Sequence, residues 1–185
     1  MFIQTEATPN PATLKFLPGR DVLMGEPRDF RSADAATISP LAAGLFEIPG
    51  VTGVFLGADF VSVSKDTTDW SHLKPAVLGV IMEHFLSGKP VIEDGSAVAA
   101  PTEEFFDATD RETVEVIKEL ISTRVRPAVA MDGGDITFKG FRDGTVYLHM
   151  QGACSGCPSS TATLKSGIEN LLRHFVPGVE AVQQV

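Results

Sequence analysis

Two small mixed α/β (α+β) domains joined by an acidic linker are the fold this sequence predicts, and three observations carry that prediction. Apolar residues recur at helical spacing in some stretches and alternate as strands do in others. One segment, residues 88–108, shows neither period and mixes Gly, Pro, Ala, Ser and acids, which is linker composition. The 185 residues, 43% of them hydrophobic, suffice for one ordinary domain or two small ones without disulfide staples. The expected division is therefore 1–87, a linker at 88–108, and 109–185.

In the first module, Phe2 to Thr5, Thr13 to Leu17, Val51 to Leu56 and Phe60 to Ser64 read as strands. Helices are expected near Ser39 to Phe46 and Ser71 to Leu86. Asp59, with Gly57 nearby, suits the turn of a hairpin between the last two strands. The linker contains one anomaly, the aromatic pair Phe105 and Phe106 within an acidic stretch, which either docks on a domain or stands exposed.

The second module opens on Thr109-Asp110-Arg111-Glu112, which fits a capping box with Thr109 as the N-cap. Val114, Ile117, Leu120 or Ile121, and Val125 then form one apolar stripe, and the helix should stop before Pro127. Gly133 and Gly134 between two aspartates suit a turn needing positive φ. Ile136 and Phe138, then Val146, Leu148 and Met150 after an Asp143-Gly144 turn, predict a β-hairpin. Leu164, Ile168, Leu171 and Phe175 mark another helix, and Val179 to Val182 a final strand. The order is α-β-β-α-β, and its last β-α-β unit should cross over right-handed. "IPGVTGV" at Ile48 and "VPGVEAV" at Val176 read as one helix-to-strand junction used twice.

Charge narrows the function classes. The net charge of −9 argues against binding through nucleic-acid phosphates, which needs a basic face. Basic and acidic residues number 6 and 10 in 1–87, 1 and 5 in 88–108, and 8 and 9 in 109–185, so negative charge is densest in the linker. No stretch approaches the roughly 18 apolar residues of a membrane span. The opening "MFIQTEATPN" has neither a basic n-region nor an apolar h-region, so no secretory signal or transit peptide is expected. A cytoplasmic protein is the expectation, and there a C-x-x-C is metal-binding or redox-active rather than a structural disulfide.

Both cysteines, Cys154 and Cys157, lie in "QGACSGCPSS" between a predicted strand and a predicted helix that opens at Pro158. Amides at that helix start, including those of Ser159 and Ser160, would lower a thiol's pKa and stabilise an anionic ligand. Gly152 and Gly156 leave room for a ligand near the backbone.

Four readings compete. As merely buried residues the cysteines would have apolar neighbours, and theirs are small and polar. A thioredoxin-like dithiol catalyst also places C-x-x-C between strand and helix, but only 28 residues follow Cys157, too few for the rest of such a fold. Zinc within one chain needs two further ligands. His149 precedes the motif and His174 follows by 17 positions, without finger spacing, and His72 and His84 show no metal spacing. The fourth reading completes the half-set by symmetry: two copies bring four thiolates around one iron-sulfur cluster. A cluster held by two residues per chain at an opening interface suits a carrier more than a catalyst.

"TEATPNPATLKFLPG", residues 5–19, resembles the opening of the N-terminal domain of Nfu proteins. "RPAVAMDGGDI" with "LHMQGACSGCPSSTATLKSGIE", residues 126–136 and 148–169, is similar to the C-terminal domain of NifU and its relatives. The resemblance covers nearly the whole chain. It implies an iron-sulfur scaffold or carrier, not an enzyme, that binds a 4Fe-4S cluster between the subunits of a homodimer. A 2Fe-2S cluster is the alternative cargo. It further implies upstream cluster assembly proteins as donors and apo-proteins such as aconitase or lipoyl synthase as recipients. Cys154 and Cys157 match the cluster ligands of the family. Asp132, Gly133, Gly134 and Asp135 match a signature whose residues support a turn, with support of the ligands as the further option. The first module offers no chemical constellation, and docking of recipients is its expected role. The rival from the enzyme class is a thiol-disulfide oxidoreductase using the same C-x-x-C.

Overall fold

The computed structural model describes residues 1–93, 103–155 and 158–185, with 158–160 described by backbone alone. The chain divides into two compact units, Met1–Ala97 and Val98–Val185. Among the described residues no helix is long and apolar enough to cross a membrane.

The first unit is a five-stranded antiparallel sheet with two helices. Its strands are β1 (Gln4–Ala7), β2 (Thr13–Leu17), β3 (Arg28–Phe30), β4 (Val51–Leu56) and β5 (Val61–Lys65), in the order β1-β2-β5-β4-β3. The helices are α1 (Pro40–Phe46) and α2 (Trp70–Ser87). Alternation decides the faces: Phe16, Val54, Leu56, Val61 and Val63 join Leu41, Leu45, Val77 and Ile81 in one buried core. Ser39 starts α1, its Oγ accepting from the Ala42 amide at 3.1 Å and donating to the Val91 carbonyl at 2.6 Å. Asp69 starts α2 by accepting from the Ser71 amide at 2.8 Å, and Gly88 ends it at φ +70°.

Two details differ from expectation. The first strand lies at Gln4–Ala7 rather than Phe2 to Thr5 because Thr8 and Asn10 turn the chain immediately after it, Thr8 Oγ1 donating to the Thr13 carbonyl at 2.9 Å. The three-residue β3 was not anticipated, since "RDF" is too short to show a period.

The second unit carries α3 (Arg111–Leu120), a π-helical turn at Ile121–Val125, α4 (Arg126–Met131), β6 (Gly134–Arg142), β7 (Thr145–Gly152), α5 (Pro158–Phe175) and β8 (Ala181–Gln184). The sheet order is β6-β7-β8, with β6 and β7 an antiparallel hairpin and β8 parallel to β7 after the α5 connection. Val114, Ile117 and Ile121 of the leading helix meet Ile136, Leu148 and Leu172 in the second core. β8 starts two residues later than the Val179 to Val182 reading. Both predicted junctions close the same turn, Val51 N–H to the Ile48 carbonyl and Val179 N–H to the Val176 carbonyl, but only Gly50 takes a positive φ.

Two expectations about the leading helix are corrected. Asp107 to Asp110 form a 3-10 turn, and the residue before α3 is Asp110 with no side-chain cap, so Thr109 is not the N-cap. The helix also does not stop at Pro127. The Arg126 amide bonds to the Ile121 carbonyl five residues back, and this wider turn admits Pro127 at the second position of α4, where its missing N–H costs little.

Both ends of the segment read as linker are built into the units beside them. Val91 and Ile92 pack on the first core and the Glu93 amide bonds to the Ile38 carbonyl at 2.9 Å. Phe105 docks on the second unit: it donates to Lys139 and accepts from Phe141, and its ring lies 5.0 Å from that of Tyr147. A Cβ on Gly140 would meet that ring at 2.5 Å, so any larger residue there would have to displace it.

Candidate functional site

The site is built where the start of β6 meets the end of β7. After α4, Gly133 turns the chain at φ +80° and Gly134 opens β6 opposite Gly152, with Asp135 opposite Gln151. Gly152, at φ +66°, then reverses the chain out of the sheet into the cysteine loop. Hydrogen bonds hold the described part of that loop. The Ala153 amide donates to the Gly133 carbonyl at 3.2 Å, and the Ser155 amide and Oγ donate to the Gly152 carbonyl at 3.1 and 3.0 Å. Thr161 Oγ1, from the first turns of α5, donates to the Cys154 carbonyl at 3.0 Å.

Cys154 is 6% exposed and rests directly on Gly134. A Cβ at Gly134 would lie 2.7 Å from the Cys154 Sγ and 2.6 Å from the Gln151 carbonyl oxygen, so no other residue fits without displacing the thiol. This gives the second glycine of "DGGD" a packing role that the turn reading did not contain. α5 opens at Pro158, as expected. Gly156 and Cys157 lie outside the described residues.

The electrostatics correct one expectation. A thiol at the start of a helix was expected to have a lowered pKa, yet the Cys154 thiol is pushed up to about 12. Burial is the main cause, and the carboxylates of Asp132 and Asp135 add to it. In this arrangement Cys154 is a neutral thiol at physiological pH.

Asp135 is itself 4% exposed and is held by Arg126 through two bonds, Nε to Oδ1 and Nη2 to Oδ2, each 2.9 Å. Sequence reasoning missed Arg126. The available signal was an opposite charge on either side of a glycine turn, nine positions apart.

The histidines take other places. His149 Nδ1 lies 3.1 Å from the Val185 carbonyl, His174 stacks edge-on with Phe175 in the last turn of α5, and His84 is buried in the first unit. Among the described residues no group of three or more His, Cys, Asp or Glu side chains is placed to hold a metal ion. Among the described residues, then, the site presents a thiol on a glycine floor, beside a paired carboxylate.

Comparison with known proteins agrees with this division of the chain. Residues 3–88 match the family described as scaffold protein Nfu/NifU N terminal, and residues 117–183 match the NifU-like domain. The chain is 54% identical over 187 aligned positions to the NFU1 iron-sulfur cluster scaffold homolog, mitochondrial, of Drosophila erecta, matching 100% of this chain and 65% of that protein. It is 49% identical to the protein of the same name from Homo sapiens, of which it covers 72%. The chain thus spans just under two thirds of the length of its fly relatives. A solution structure of a NifU-like protein from Saccharomyces cerevisiae covers 51% of this chain and 86% of its own at 27% identity and a TM-score of 0.47. These names overturn the cytoplasmic expectation: the relatives are named as mitochondrial proteins and point to mitochondria.

Proposed function

The chain belongs to the Nfu/NifU family of iron-sulfur cluster scaffolds, and from that premise we propose that it receives an iron-sulfur cluster and hands it to apo-proteins without catalysing a reaction of its own. Cys154 and Cys157 of two copies supply four thiolates, and the cargo is a 4Fe-4S cluster bound between the subunits of a homodimer. Upstream cluster assembly proteins load it. Apo-enzymes of the aconitase and lipoyl synthase kind are the recipients, and Met1–Ala97 docks them.

The observation that carries this reading is the seat of Cys154. A dithiol-disulfide catalyst needs an accessible thiol of low pKa, because the thiolate is the nucleophile. Cys154 has the opposite character, being buried and held neutral, and so does not serve as that nucleophile. A cluster ligand tolerates that, since iron displaces the proton on binding and the metal, not the fold, supplies the stabilising charge. The chain has two cysteines, so a set of four thiolates needs a second subunit.

Anaerobic reconstitution with iron and sulfide tests the proposal. The expected result is a brown protein with about four irons per dimer and a shift from monomer to dimer on loading. Failure to take up iron, with rapid turnover of disulfide substrates, would select the oxidoreductase instead. Removal of Met1–Ala97 should leave iron uptake intact and slow transfer to recipients; unchanged transfer to every recipient tested would refute docking by the first unit.

A further inference from the structure

Arg126 and Asp135 stand at the two ends of the turn on which Cys154 rests. Asp135, second residue of β6, is buried, and the Arg126 guanidinium meets both its oxygens at 2.9 Å. Such a fork on a carboxylate fixes direction as well as distance. Between these two residues the chain makes two of the contacts that seat the cysteine loop. The Gly133 carbonyl accepts from the Ala153 amide, and Gly134 forms the floor beneath the Cys154 thiol. Asp135 also faces Gln151 across the ladder, and the Gln151 carbonyl is the other wall of the same seat.

We propose that the Arg126–Asp135 pair is a positioning device for the cysteine loop: by tying the first residue of α4 to the start of β6, it sets the depth of Cys154 and so governs how long the cargo is retained. The last clause rests on the cluster reading above; the positioning itself does not. The competing account is that the pair only neutralises a buried carboxylate, in which case its geometry is irrelevant to the loop.

Two full-length variants separate these accounts. Arg126→Lys keeps the charge and loses the fork. Arg126→Met combined with Asp135→Leu removes both charges, so neither is stranded and the fold is retained. Hydrogen exchange is read first, in cluster-free protein, at the Ala153 amide and at the Phe141 amide, which bonds to Phe105 at the far end of the hairpin. Both variants should lose about tenfold of the protection at Ala153 and keep Phe141 within about twofold of the parent. Unchanged protection at Ala153 overturns the proposal, and so does an equal loss at both amides, which would mark a general structural role.

The second arm loads the same variants with iron and sulfide and follows decay of the visible absorbance under chelator. Release should be about tenfold faster than from the parent, the scale seen when residues that support metal ligands are lost. Parental release despite altered exchange overturns the claim on retention. If the parent itself takes up no iron, the cluster reading falls, and the exchange arm still decides the positioning.

Discussion

Two buried titratable side chains, one from each unit, are treated in opposite ways. In the first, His84 of α2 is buried with no hydrogen-bond partner for its Nε2 among the described residues, and burial, helped by Lys89, pushes its pKa down. In the second, Asp135 is met by a two-pronged arginine, and the displaced group is the neighbouring Cys154, pushed up to about 12. A lone buried imidazole is tolerated because it can shed its charge. A buried carboxylate with a dedicated partner is a more demanding arrangement, and it occurs beside the thiol. At His84 burial is met by loss of charge, whereas at Asp135 it is met by a charged pair set beside the Cys154 thiol.

The largest test of that contrast removes the ligand. On the proposed four-thiolate site, Cys154→Ser or Cys157→Ser would leave two thiolates between two copies, and iron analysis after reconstitution should find no stable cluster. The first unit should be untouched, and its unfolding can be followed separately because Trp70 is the only tryptophan and Tyr147 the only tyrosine.

Gly134→Ala comes next. Its Cβ would lie 2.7 Å from the Cys154 Sγ and against backbone, so the second unit should lose about 2–3 kcal/mol in urea unfolding read at Tyr147. An unchanged midpoint would mean that the seat is softer than its packing indicates.

Acid and alkali should then act on different units. His84 has a folded pKa below its ordinary 6.5, so its contribution is present above 6.5 and is lost as pH falls through the lowered value. Cys154 has a folded pKa raised from 9.0, so its contribution is present below 9.0 and is lost as pH rises toward about 12. Thermal melts should show the Trp70 signal weakening on the acid side and the Tyr147 signal on the alkaline side. His84→Leu should flatten the first limb and Cys154→Ala the second.

The smallest effect is a gain. Gly79 lies on the exposed side of α2 with nothing within 4 Å of a built Cβ, so Gly79→Ala should stabilise the first unit by about 0.5–1 kcal/mol. The same substitution is thus expected to have opposite signs at Gly79 and at Gly134.

Much of the fold was legible because period and punctuation agree. The hairpin of β6 and β7 follows from Ile136, Phe138, Val146, Leu148 and Met150 around Asp143-Gly144, and Asp143 does adopt positive φ, at 51°. Pro158 marked the start of α5. β3 escaped because three residues cannot display alternation, and the passage through Pro127 escaped because a π turn leaves the apolar stripe almost unchanged. At the site, Cys154 was legible as a residue but not as an environment. Its burial depends on Gly134 and Gln151, which reach it through strand pairing, and its raised pKa depends first on that burial and then on carboxylates some twenty positions earlier in the chain. Strand pairing is a tertiary fact that local spacing does not encode.

The π turn at Ile121–Val125 amounts to one extra residue accommodated in an otherwise regular helix. A five-residue step around this wide turn sweeps about the same angle as a four-residue step of regular helix, so the extra residue is absorbed and α4 continues in nearly the phase it would have without it. Forcing the same residues into regular winding would instead turn everything downstream by about 100° around the helix axis and carry Arg126 away from Asp135. This short irregularity sets the angular phase between the helix that packs the core and the guanidinium beside the cysteine loop, so a change of winding at 121–125 is a change to the site.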